Sequence, residues 1–218
     1  MTYKILTRTL NALVILSSIA IIVIMSIEIL YPELLTSRRI IIDLHLVVSI
    51  IFMTDYFVRL YGTKHPLRFA LDNFIFFVVA LPFMSVIYYF ELQIDSTTEF
   101  ILRYMPFIRA VYGFVIVISY LTRSRITNLF YTYIVIVIAT TYFCALLFYS
   151  EEKGVNSGVE NFGDALWWSL MDMTTVGCDI VAKTTVGRVV SVVLAASGMM
   201  LFPIFTVYIT DIFNSRRQ

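Results

Sequence analysis

Between two long apolar runs lies Asn161-Phe162-Gly163-Asp164-Ala165-Leu166-Trp167-Trp168, followed shortly by Thr174-Thr175-Val176-Gly177-Cys178-Asp179. The second group holds no acid–base pair, but it sets backbone carbonyls, two threonine hydroxyls and a carboxylate in series. Such oxygens are the ligands that a dehydrated monovalent cation takes in place of water. The stretch is too short and too polar to cross a bilayer. Non-helical backbone survives at membrane depth only where protein buries it or where it lines a watery cavity. A short helix followed by Thr-Thr-Val-Gly therefore points to a re-entrant segment whose carbonyls face a pore. Asp55, Arg59, Arg103 and Arg109 also lie within apolar runs. Charges there are costly and need partners or water; Asp55 and Arg59, one helical turn apart, share a face and can pair.

The elements that must position these residues are membrane helices. The chain has 218 residues, 60% of them hydrophobic, and a mean hydropathy of +0.87, which places it among integral membrane proteins. A net charge of +1 gives no field for nucleic acid. Cys144 and Cys178 make no disulfide framework, zinc site or redox pair by spacing. With no nucleophile–base pair, metal cluster or phosphate loop, neither an enzyme nor a cofactor beyond permeant ions is expected. Six runs approach or exceed the roughly 20 residues that cross a bilayer: 10–30, 40–61, 72–90, 100–121, 127–149 and 187–213. The first is too long for a signal peptide and reads as a retained helix. Glu28 snorkels at its outer end, Tyr31-Pro32 breaks it, and Ser150–Glu160 is a polar outer loop. Lys4, Arg8, Arg59, Lys64, Arg68, Arg123, Arg125, Arg216 and Arg217 fall on the side of the amino terminus; Arg38, Arg39, Lys153, Lys183 and Arg188 fall opposite. That bias puts the amino terminus inside. The expectation is a multi-pass cell-membrane protein with both termini cytoplasmic and the 161–179 stretch entering from outside.

Trp167-Trp168 followed at this distance by Thr175-Val176-Gly177, between two membrane helices, resembles the pore loop of the voltage-gated potassium channel superfamily. The resemblance implies an all-α membrane protein of six transmembrane helices. Residues 1–125 would form a four-helix, voltage-sensor-like bundle; 126–218 would form a two-helix pore domain with its pore helix and filter at about 163–179. It also implies a homotetramer in the lipid bilayer, because one chain offers a single column of carbonyls and a ring needs several. The filter would run through Thr174, Thr175, Val176, Gly177, Cys178 and Asp179, with K+ or Na+ held at Thr175, Val176 and Gly177. The family pattern Thr-Val-Gly-Tyr-Gly-Asp is one residue shorter here, Cys178 standing for Tyr-Gly. Register returns at Thr184 and Gly187, while Ala182 occupies a usual proline position. In the family the filter tyrosine bonds the pore helix behind it. Cys178 cannot, so Trp168 loses that partner, although Trp167 could still bond Asp179. Asp172 replaces a usual threonine near the negative end of the pore helix, where a carboxylate is disfavoured. It is expected to be protonated or to bond the backbone behind the filter. Fewer rings and a slacker wall imply weak discrimination between K+ and Na+.

In the sensor-like half, Phe52 and Asp55 match the family's aromatic-plus-acid gate; alternatively Asp55 only pairs with Arg59. Phe76 stands where an acid usually precedes Pro82. Of the every-third positions that carry arginines in a working sensor, only Arg103 and Arg109 are filled; Pro106, Tyr112, Val115, Ile118 and Leu121 take the rest. Pro106 also interrupts that helix. At about 2.3 kcal/mol per charge per 100 mV, two charges in each of four subunits supply at most about 18 kcal/mol, so voltage dependence is expected to be weak or absent. In the last helix Gly198 and Pro203 mark a gate hinge, or close helix packing. With only residues 214–218 beyond the last run, gating by a cytoplasmic ligand domain is not expected. The alternatives are a fully K+-selective channel of the same fold and a non-conducting subunit or scaffold with a collapsed filter. A transporter would show interrupted helices in two related halves.

Overall fold

The computed structural model describes residues 2–33, 38–63, 65–121 and 129–215. Regular structure in these residues is entirely helical, and the chain forms two compact units, Met1–Tyr120 and Leu121–Gln218. The 125/126 boundary read from the sequence, with Arg123 and Arg125, lies outside the described residues.

The first unit opens with α1 (Thr2–Leu30) and α2 (Arg38–Gly62), which pack along each other. Ile21, Met25, Val48 and Phe52 fill the core, with buried Ser18 and Ser49 between them. The hydroxyls of Ser18 and Ser49 bond carbonyls one turn back in their own helices, at 2.7 Å each. That is the usual way a hydroxyl is satisfied inside an apolar bundle.

The third run is not one straight span. It is divided into α3 (Pro66–Asp72), α4 (Phe74–Ala80) and α5 (Phe83–Tyr89). At the first break the Asn73 side chain takes the Phe69 carbonyl at 3.0 Å, competing with the helical ladder. At the second, Leu81 is extended (φ −66°, ψ 131°), as a residue before proline prefers. Pro82 itself has no N–H to continue the ladder. Taken together, Pro66–Asp72 and Phe74–Tyr89 bend by 69°. The described residues thus hold five spans long and apolar enough to cross a membrane, and a sixth only if this bent pair counts as one.

The fourth run begins earlier than expected, at α6 (Ser96–Arg103), capped by Asp95 accepting from Thr97 N at 3.2 Å. It pauses at Tyr104 and continues as α7 (Met105–Leu121). Pro106 in the first turn of α7 accounts for the pause, because its ring excludes the carbonyl of the preceding turn.

The second unit consists of α8 (Leu129–Glu152), α9 (Phe162–Met173) and α10 (Thr185–Ser215), each packing on the other two. Helix α8 runs on through Ser150, Glu151 and Glu152, so the expected outer loop starts later than read from its polarity. Helix α10 is continuous through Gly198 and Pro203. An Asn161–Asp164 capping box starts α9, Asp164 accepting from the Asn161 and Glu160 amides at 2.9 Å each.

Candidate functional site

Helix α9 delivers the Thr-Val-Gly stretch and sets its first bend. Thr174 closes the helix, and Thr175 then adopts a left-handed conformation with φ +59°. Its amide bonds the Asp172 carbonyl at 3.0 Å, while Val176 N bonds the Met171 carbonyl at 3.0 Å. This pair of bonds is a Schellman closure, ordinarily made with glycine at the left-handed position. A β-branched residue there costs about 1–3 kcal/mol, a strain characteristic of functional sites. Gly177 N also reaches Met171 O, at 3.2 Å, with φ +78°, a conformation that glycine alone adopts freely. The Thr174 and Thr175 hydroxyls donate to the Leu170 and Thr174 carbonyls at 2.8 and 2.7 Å. Thr174 through Gly177 are exposed within the single chain, Val176 at 73%.

Behind the turn, Trp168 is buried and stacked on Phe148 of α8, ring centroids 3.5 Å apart. Trp167 points outward, 56% exposed. It makes no hydrogen bond to Asp179 within the chain. One Asp172 oxygen, Oδ2, is buried without a hydrogen-bond partner, so at that atom the expected bond to backbone behind the filter is not made. A cavity of about 450 Å³ lies beside Trp168, Asp172, Gly177 and Cys178. The Cys178 thiol is free and half-buried.

The irregular segment leaving the turn is held by Glu152, a residue whose polar neighbours place it in the expected outer loop. Glu152, fully buried at the end of α8, accepts from the Lys183 amide (3.0 Å), the Thr184 amide (2.7 Å) and the Thr184 hydroxyl (2.7 Å). Asn156 donates to its other oxygen at 2.8 Å and to the Val181 carbonyl at 2.9 Å. Nothing in the local pattern Glu151-Glu152-Lys153 separates this carboxylate from its solvated neighbours; only the meeting of α8 with the 181–184 segment does.

Gly198 of α10 lies directly against the end of α9. A Cβ there would overlap the Met173 carbonyl oxygen and stand 2.8 Å from its carbon. One residue earlier, the Ser197 carbonyl accepts from Tyr133 of α8. The residue expected to be a hinge is thus also a contact between the last helix and the base of the Thr174–Gly177 turn.

In the first unit Phe52 is fully buried and Asp55 is 4% exposed. Asp55 is paired with Arg59 at 2.8 Å, and Arg59 also reaches Asn11 at 2.7 Å. Phe76 stacks on Tyr112 (4.9 Å, 22°) and packs near Phe52 at 6.0 Å. Arg109 meets no carboxylate there; its guanidinium bonds backbone carbonyls and Ser49. Arg103 is exposed and lines an approximately 490 Å³ cavity together with Glu28, His45 and Glu99.

A protein-family profile described as an ion channel matches residues 130–215, nearly the whole described part of the second unit. The chain is 30% identical over 95 residues to the calcium-gated potassium channel TvoK of Thermoplasma volcanium, covering 43% of this chain and 26% of that one. It is 36% identical over 61 residues to potassium voltage-gated channel subfamily KQT member 4 of Homo sapiens, covering 28% of this chain and 9% of that one. The chain therefore spans only about a quarter or less of the length of these relatives. The matched residues carry a short capped helix that ends in a left-handed Thr175 between two apolar helices, and over them this chain is similar to potassium channels.

Proposed function

We propose that the chain is a subunit of a homotetrameric cation channel that passes K+, and Na+ within about tenfold, with weak or no voltage dependence. The observation that carries this reading is the turn at Thr174–Gly177. A costly backbone conformation is maintained at Thr175, and the residues around it stay exposed in one chain, where copies around an axis could complete cation-sized rings of oxygens at Thr175, Val176 and Gly177. Along α10, Val192, Met199 and Phe202 are 69%, 63% and 75% exposed, an apolar surface suited to lipid and to further copies. Both relatives are named as potassium channels, in keeping with K+ among the permeant ions. Weak selectivity follows from the short filter: Cys178 supplies neither the missing carbonyl ring nor a side chain to fill the cavity beside Trp168. The first unit serves as a sensor-like scaffold and the second as the pore. In the cell membrane both termini lie on the cytoplasmic side.

Reversal potentials from purified protein in planar bilayers under opposed K+ and Na+ gradients test the proposal. Currents that reverse with less than about tenfold K+ preference, less than roughly 1.4 kcal/mol of discrimination, are expected. Exclusion of Na+ would identify a K+-selective channel of the same fold. No current under any gradient would identify a non-conducting subunit.

A further inference from the structure

We infer that Arg109 is a fixed tie between three helical segments and not a mobile charge, and that Pro82 creates the socket holding it. The inference goes beyond the function proposed above and does not depend on conduction. In an unbroken helix the Val79 carbonyl would accept from the amide of residue 83, and the Leu81 carbonyl from that of residue 85. Pro82 ends α4, and Phe83 N turns back to the Leu81 carbonyl at 2.9 Å, so the Val79 carbonyl is released from the ladder.

Arg109 fills this opening. Its Nε donates to Val79 O at 3.0 Å and Nη2 to Leu81 O at 2.8 Å. Nη1 donates to Ser49 Oγ at 2.6 Å and to His45 O at 3.4 Å. Each nitrogen of the guanidinium thus serves a different position: the end of α4, the α4–α5 joint, and α2. A planar fork can do this, whereas the compact ammonium of lysine cannot. The residue is only 4% exposed. Among the described residues no carboxylate pairs with it, since Asp55 is engaged by Arg59 at 2.8 Å. The charge is balanced by carbonyl dipoles made available by the break.

The surroundings oppose displacement. Along α2, Phe52 follows Ser49 and precedes Asp55, and it is fully buried. One turn along α7 from Arg109, Tyr112 is stacked on Phe76 at 4.9 Å. Sliding α7 towards Asp55 would break every Arg109 bond, move a guanidinium past Phe52 and unstack Tyr112 together. The missing acid at position 76 is therefore compensated by backbone, in an arrangement that holds but does not relay.

The test is amide hydrogen exchange of α7 in the full-length protein in lipid, with Arg109→Lys, Ser49→Ala, Pro82→Ala and the Pro82→Ala/Arg109→Lys double variant. Arg109→Lys should speed exchange around 105–113 by about tenfold or more, the scale of losing hydrogen bonds to a charged group, and Ser49→Ala by severalfold. In the Pro82→Ala background, where the helix can reclaim its carbonyls, adding Arg109→Lys should change exchange by less than about threefold, a coupling read from the double-mutant cycle. Wild-type protection in Arg109→Lys overturns the tie. An undiminished Arg109→Lys effect in the Pro82→Ala background overturns the role of Pro82. Should Arg109→Lys not fold, wild-type protection in Ser49→Ala would overturn the tie. If no variant conducts while the exchange pattern holds, it is the channel reading that has failed and not this one.

Discussion

At the scale of single residues, the side chain with the most to lose is Glu152. Two backbone amides and a hydroxyl converge on its carboxylate, and it is fully buried. Removing the acceptor leaves buried donors unsatisfied, which costs more than the bonds themselves contribute. Glu152→Gln keeps the shape but replaces one acceptor oxygen with a donor nitrogen. It should lower unfolding stability by about 2–3 kcal/mol, seen as a lower thermal midpoint of the purified protein, and an unchanged midpoint would show that the cluster is not held by charge. Gly198 tests the other wall of the site. Because an added methyl group meets the backbone carbonyl of Met173, it has no flexible neighbour to displace. Gly198→Ala should destabilise by about 1–3 kcal/mol through overpacking. If stability holds while open probability falls, the hinge role outweighs the packing role.

Among the elements, the turn at Thr174–Gly177 concentrates the functional question. Replacing Cys178 by the dipeptide Tyr-Gly restores the length of the resembled pore loop and offers a ring to the cavity of about 450 Å³ beside Trp168 and Asp172. Buried Oδ2 of Asp172 has no partner, so Asp172→Thr belongs in the same experiment to remove an uncompensated oxygen behind the repaired turn. The reversal potential should then move well towards potassium, by more than the roughly 1.4 kcal/mol that separates tenfold preferences. A wild-type protein that already excludes Na+ as fully as the repaired one would show that the short filter loses no discrimination. The third span is the other informative element. It is broken at Asn73 and at Leu81–Pro82, and the second break supplies carbonyls to Arg109.

For the whole molecule, the exposed filter turn and the exposed face of α10 are surfaces that one chain leaves uncovered. A homotetramer should therefore appear as a ladder ending at four chains after crosslinking in detergent; a ladder ending at two or three would contradict the proposed ring. In such an assembly the half-buried, free thiol of Cys178 would stand near the outer mouth. A thiol reagent added from outside should reduce or alter current, and Cys178→Ser should abolish that sensitivity.

Composition and the spacing of apolar runs are enough to establish a helical membrane protein, because bilayer thickness sets helix length almost independently of tertiary detail. Trp167-Trp168 and Thr175-Val176-Gly177 likewise mark a short helix and the turn that ends it, since local backbone preferences govern both. The Asp55–Arg59 pair was legible for the same reason, as one helix sets its geometry. Three features were decided only when distant segments met. Glu152 looks like an outer-loop charge until the 181–184 segment brings amides to it. Gly198 reads as a hinge or as a packing position until the end of α9 is seen against it. Arg109 looks like a residual sensor charge until the Val79 carbonyl, released at the Pro82 break, and the Leu81 carbonyl beside it close around the guanidinium. In each case the partner is backbone, whose position no residue type announces.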